Sequence, residues 1–269
     1  MNKFAAFLTC FACAVSAPEF ATAASSDWFE TEGGRVRLVT TGKPAADGQL
    51  RGILDIELRP GWKTYWRDPG DAGVPPQIDL SASTNVAGAE LAFPAPQRHD
   101  DGYAKWAGYD YPVALPVTFT IKVPDDPAII DAGVFLGVCE TICIPVKTKM
   151  VFDPGRDLDN VDDAESVARA FAALPAPARP DFGVKLLSHD AAALVVEADF
   201  PGDAGSAELF LAGADGYVFG APVKTSKNGR TQFSVELLDA PASPPVGDGL
   251  HYALVTDAGS VSGLLPYPR

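Results

Sequence analysis

The chain is punctuated every few residues by Gly, Pro or Asp, and the runs between alternate apolar and polar with period two. Examples are "RVRLVTTG", "GILDIELRPG", "VALPVTFTIKV", "AGVFLGVC" and "CIPVKTKMVFD". Side chains of a strand point to opposite faces in turn, so this period describes strands with one buried and one wet face. Short strands with turn signals at this spacing read as antiparallel sheets of a sandwich. From Trp28 to about Pro154 there is neither helix-length periodicity nor strand-helix alternation, so the expected class is all-β.

The pattern changes over 156–181. "DDAESVARAFAALP" opens with Asp162 and Asp163 as candidate N-caps and sets Val167, Ala170, Phe171 and Leu174 on one face, which predicts one short helix. "PAPARP" follows, with three prolines in six residues, and reads as a stiff linker. From Phe182 the alternation returns in "GVKLLS", "AALVVEADF", "AELFLAG", "TQFSVELL" and "LHYALVT". Asn228-Gly229 between two such runs predicts a tight hairpin, because both residues tolerate positive φ. The expected organisation is a first β-sandwich over 24–155, helix and linker over 156–181, and a second, smaller sandwich over 182–269.

Residues 1–23 have a cationic start at Lys3, an apolar run from Phe4 to about Ala17, and Ala21 and Ala23 around Thr22. This is the pattern of a secretory signal peptide cut after Ala23. The apolar run falls short of the roughly 18 residues of a membrane span, and no later run approaches that length. The expected product is an exported chain of about 246 residues (269 minus 23), without membrane insertion. The formal charge of -14 is the same after cleavage, because Lys3 and Glu19 both leave. So acidic a surface repels phosphate backbones and anionic headgroups, which argues against nucleic-acid and membrane-surface partners.

Cleavage also removes Cys10 and Cys13, leaving Cys139 and Cys143 of "GVCETICIPV" alone together in an oxidising compartment. Fully extended, their Cα atoms would lie about 13 Å apart at about 3.3 Å per residue, whereas a disulfide needs roughly 4.4 to 6.8 Å. The chain must therefore turn within "ETI", and a hairpin with facing cysteines is expected. The turn has no Gly for the left-handed position such loops favour, which predicts backbone strain.

Three readings of the pair stand open. As a staple, a closed loop of about five residues contributes roughly 2 kcal/mol before strain, little for a chain that can bury a core without it. As a metal site it lacks partners, since His99, His189 and His251 are not at finger spacing and Met150 is the one methionine left after cleavage. No metal and no cofactor is therefore expected. Reversible thiol-disulfide exchange needs only two thiols able to close on each other and open to attack.

The blocks "GWKTYWRDPGDAGVPP", "FPAPQRHDDGYAKWAGYDYPVALPVTFTI" and "GVCETICIPV", in this order, resemble the periplasmic N-terminal domain of the thiol:disulfide interchange protein DsbD, in its ScsB-like branch. The resemblance implies an immunoglobulin-like sandwich whose cysteine pair takes electrons from a membrane domain and passes them to periplasmic thioredoxin-fold proteins. It implies that Cys143 forms the mixed disulfide and Cys139 resolves it. It also implies a cap loop over the pair, here "HDDGYAKW" with Asp100, Asp101 and Tyr103, and aromatics at Trp62 and Tyr65 close to the sulfurs. Three departures stand out: the best-known members have five residues between the cysteines, Gly102 replaces an acidic or aromatic cap residue, and no membrane or thioredoxin-like domain follows. The expected electron donor is therefore a separate membrane protein.

Glu140, Asp100 and Asp101 near the sulfurs would disfavour thiolate, predicting slow reaction with small oxidants and faster exchange with a docked protein. The reading is a periplasmic thiol:disulfide oxidoreductase acting as a relay. The alternative from another class is a non-catalytic immunoglobulin-like binding module with a permanent disulfide.

Overall fold

A computed structural model describes residues 24–70, 73–100, 102, 105–190, 192–213, 216–243, 245, 247 and 249–268. The first part of the chain forms strands β1 (Phe29–Thr31), β2 (Gly34–Thr40), β3 (Gln49–Leu58), β4 (Thr64–Gly70), β5 (Gln77–Asp79), β6 (Val86–Leu91), β7 (Gln97–Asp100), β8 (Lys105–Tyr109), β9 (Val113–Ile121), β10 (Ile130–Cys139) and β11 (Cys143–Phe152). They assemble as a five-stranded sheet β1-β2-β3-β9-β6, a three-stranded sheet β11-β10-β5 and a second three-stranded sheet β4-β8-β7. The period-two pattern is expressed directly: Leu38, Leu54, Leu115 and Phe119 of the large sheet meet Ile130, Val134 and Leu136 of β10 in one core.

Helix α1 (Val161–Ala172) follows. Its N-cap is Asn160, whose side chain accepts from the Asp163 amide at 3.0 Å. This corrects the expected capping by Asp162 or Asp163. The cap must stand one turn before the amide it satisfies, and the two aspartates lie inside the first turn, where they favour the helix dipole. The helix does not hang free, because Val167 and Ala170 are buried against Val39 and Ile53.

The remaining strands are β12 (Ala176–Pro177), β13 (Gly183–His189), β14 (Ala193–Asp199), β15 (Glu208–Ala212), β16 (Val218–Phe219), β17 (Val223–Lys227), β18 (Arg230–Asp239), β19 (Leu250–Thr256) and β20 (Gly259–Leu265). They form a second sandwich from the sheet β12-β20-β19-β15 and the sheet β13-β14-β18-β16, with β17 also on β18. Part of the proline-rich stretch is itself an edge strand, since β12 pairs in parallel with β20. An edge is where a residue without an N–H is tolerated. The Asn-Gly hairpin forms as expected, with Asn228 at φ 54° and Gly229 at φ 75° between paired Lys227 and Arg230.

The molecule is thus all-β apart from one α-helix and one short 3-10 turn among the described residues. No helix in them is long and apolar enough to cross a membrane. Residues 1–23, read as a signal peptide, lie outside the described residues. The two sandwiches are packed together: Phe210, Ala212 and Ala253 of the second join the core of the first.

Candidate functional site

The cysteines close the hairpin of β10 and β11. Ten residue pairs are in unbroken register from Ile130↔Phe152 to Cys139↔Cys143. Both main-chain groups of Cys139 are taken by Lys63: its amide donates to Lys63 O at 2.9 Å, and its carbonyl accepts from Lys63 N at 2.8 Å. Cys139 therefore faces Cys143 as a pair without mutual hydrogen bonds, the arrangement in which opposite Cα atoms come closest. They lie 4.1 Å apart, and the sulfurs are joined in a disulfide.

No residue of the turn takes the left-handed backbone from which strain was expected. The only non-glycine residues with positive φ among the described residues are Asn85 and Asn228, so Glu140, Thr141 and Ile142 all turn without a left-handed residue. The turn is closed instead by the Glu140 amide donating to Ile142 O at 3.2 Å and by the bridge itself.

The two sulfurs differ in access. Cys139 is 1% exposed, whereas Cys143 is exposed next to Ile142 at 70%. Over the buried sulfur sits Tyr65 of β4. Its hydroxyl donates to Cys139 Sγ at 2.9 Å and lies 3.4 Å from Cys143 Sγ. Two glycines make room for this ring. A Cβ on Gly73 would come to 2.5 Å of the Tyr65 ring, and one on Gly137 to 3.3 Å. Thr64, fully buried, donates to Gly137 O at 2.9 Å and fixes β4 along β10.

Trp106 of β8 meets Tyr65 edge to face, with centroids 5.9 Å apart at 80°, and with Cys139 the three form a buried cluster. His99 stacks flat on the indole at 3.8 Å and 8°, and the Lys63 ammonium lies over the ring at 4.5 Å. With one face covered by the imidazole, the ammonium occupies the other. Cation and ring attract through the quadrupole of the indole. Burial is the main cause holding the His99 imidazole below its ordinary pKa; Lys63 acts the same way, while Asp110 and Glu208 oppose it. His99 Nε2 and Trp106 Nε1 have no hydrogen-bond partner among the described residues, so ring packing sets this stack.

Of the residues singled out from sequence, Cys139, Cys143 and Tyr65 come together. Trp62 does not join them: it is 8% exposed in the sandwich core and lies against Gly33. Glu140 is exposed in the turn beside Cys139. Asp100 is exposed at the end of β7, opposite Lys105, and accepts from the Gly102 amide at 3.0 Å. Asp101 and Tyr103 lie outside the described residues. Sequence reasoning missed Trp106 and His99. A signal existed in "DDGYAK" between them, whose Asp-Gly step favours a turn, and His99↔Trp106 is a register pair. The described residues contain no group of three or more His, Cys, Asp or Glu placed to hold a metal.

A buried sulfur under a tyrosine, bonded to an exposed sulfur at the tip of an immunoglobulin-like sandwich, defines a disulfide open to attack from one side. Residues 36–154, which contain all of this site, match the family "Thiol:disulfide interchange protein DsbD, N-terminal", and this stretch is a domain of that family. The fold of the whole described chain is similar to the crystal structure of the N-terminal periplasmic domain of ScsB from Proteus mirabilis. The TM-score is 0.71 at 23% identity, covering 92% of this chain and 100% of that one. No curated protein matches the chain at a significant level.

Proposed function

We propose that the protein relays electrons by thiol-disulfide interchange through Cys139 and Cys143. The observation that carries this reading is the unequal exposure of the two sulfurs, with a hydroxyl aimed at the buried one. A thiolate of an upstream dithiol donor attacks Cys143 Sγ, the bond between the cysteines breaks, and Cys139 leaves as a thiolate. A buried thiolate is costly unless it receives a hydrogen bond, and the Tyr65 O–H supplies one. The donor's second thiolate then attacks the mixed disulfide. It releases Cys143, leaves the donor oxidised, and two protons are taken up to give the dithiol.

The same path runs forward to the acceptor. The Cys143 thiolate attacks the acceptor's disulfide, and Cys139 attacks Cys143 in turn. This restores the bridge and delivers two electrons and two protons to the acceptor. The proposed acceptors are exported thioredoxin-fold proteins, the proposed donor is a membrane protein with an accessible dithiol, and the proposed compartment is the periplasm. Membership of the DsbD N-terminal family supports this assignment, as does the periplasmic origin of the similar ScsB domain.

The test is Cys139→Ser in a strain carrying the otherwise unchanged chain. The expected result is a set of mixed disulfides through Cys143, released by reductant and absent from the Cys139→Ser/Cys143→Ser chain. A folded Cys139→Ser protein that traps nothing, together with a redox potential below about -300 mV for the parent, would assign the bridge a structural role.

A further inference from the structure

The small sheet β4-β8-β7 has two faces, and they meet different neighbours. Toward the disulfide it presents Tyr65, Trp106 and His99, one residue from each strand. The adjoining residue on each strand points the opposite way, as the pleat requires. These are Trp66, Ala107 and Arg98. Trp66 and Ala107 lie in the core that Phe210 enters from the second sandwich, and the Trp66 and Phe210 rings meet edge to face at 6.0 Å. The Arg98 guanidinium lies 4.6 Å over the Phe210 ring, and its Nη2 donates to Leu209 O at 2.8 Å.

The second sandwich contributes this contact by its own alternation. On β15, Leu209 and Leu211 fill their own core, while Phe210 and Ala212 point out into the first. Acids from both sides act on Arg98: burial pushes its pKa down, while Glu208 of β15 and Asp68 of β4 raise it. Beside the contact of Arg98 with Phe210 a cavity of about 40 Å³ remains. At roughly 10 to 15 Å³ per water it has room for a few waters and none for a ligand. A second cleft of about 270 Å³ between the sandwiches, lined by Trp66, Tyr252 and Ala253, lies elsewhere along the seam, so it is at Arg98 and Phe210 that the joint is packed.

We infer that the second sandwich is a backstop for the cysteine pair, holding the reverse face of β4-β8-β7 through Arg98 and Phe210 so that the Tyr65 hydroxyl stays on the sulfurs. Arg98 and Phe210 are then positioning residues for exchange. The physical reason is the steep distance dependence of a hydrogen bond, which a shift of well under an ångström in the sheet would weaken. This inference rests on the reading of the pair as one that opens and closes. Reduction by a small dithiol tests it without any protein partner, so it can fail while trapping of partners succeeds, or the reverse.

The experiment measures the rate at which dithiothreitol reduces the oxidised full chain at fixed pH. Loss of a hydrogen bond to the leaving thiolate in Tyr65→Phe is expected to slow reduction about tenfold. Arg98→Met is expected to slow it in the same direction by a smaller factor, Arg98→Lys to restore part of the rate, and Arg98→Met to add nothing in the Tyr65→Phe background. Phe210→Leu serves as the second variant should Arg98→Met fail to fold by circular dichroism. Three results overturn the inference in a folded variant: an unchanged rate, a faster rate as from simple unshielding, or an effect that adds in full to Tyr65→Phe.

Discussion

In the first sandwich β10 and β11 are joined by three residues and a disulfide, whereas in the second β17 and β18 are joined by Asn228 and Gly229 alone. Both hairpins are regular up to the turn. The second takes its reversal from two residues at positive φ, and the first uses none. A hairpin in this molecule therefore forms without a covalent tie where turn chemistry suits it. The second core, built on Leu194, Phe233, Leu254 and Val261, also closes with no cysteine. The bridge thus stands where one sulfur reaches the surface and the other is covered by Tyr65, which is a placement for chemistry more than for cohesion.

That comparison can be broken most forcefully in the second core. Phe233→Ala removes a ring that is 2% exposed and should cost about 3 to 5 kcal/mol, read from urea unfolding of the chain. Replacing both Cys139 and Cys143 by Ala should cost no more than about 2 kcal/mol, the chain-entropy value for so short a loop. If the double replacement proves the more damaging of the two, the bridge is a staple and the contrast between the sandwiches fails.

A smaller effect tests the other hairpin. Gly229→Ala should cost about 1 kcal/mol, the penalty of a left-handed backbone for a residue with a Cβ. No atom lies within 4 Å of the added carbon, so a much larger loss would show that the turn does more than reverse the chain.

The smallest effect is electrostatic. In the second sandwich Lys185, and next Arg230, hold the Glu197 carboxyl down at about 2 from an ordinary 4.5. A depressed carboxylate contributes stability above its unfolded pKa and loses it as pH falls through the folded one. The melting temperature of the parent should therefore exceed that of Glu197→Gln at pH 6, and the gap should narrow between pH 4.5 and 2. Both cations are more than half exposed, at 53% and 60%, so solvent and salt screen the gain. A gap that persists unchanged at pH 2 would rule out the ion pairs as its source.

Much of this was legible in the residues. Period two and the Gly, Pro and Asp punctuation implied two β-sandwiches, because the pleat converts alternation into one buried face. Asn228-Gly229 implied its turn, and the apolar runs on both sides of the three residues between the cysteines implied a hairpin, which brings their Cα atoms within bonding range. The family resemblance pointed to Tyr65 as a neighbour of the sulfurs, but it pointed equally to Trp62, which belongs to the core. The two differ by three positions in a segment that only becomes a strand at Thr64, so no count along the chain could assign their faces.

Local spacing thus determined the class of fold and the facing cysteines, both of which depend on neighbours in sequence. Tertiary structure alone decided which sulfur is buried, because that depends on Lys63 and Tyr65, 76 and 74 residues before Cys139. It also decided that Trp106 and His99 stack beneath the site and that Phe210 presses on the sheet from behind. Such contacts join strands whose order in space differs from their order along the chain, and a periodicity carries no information about that order.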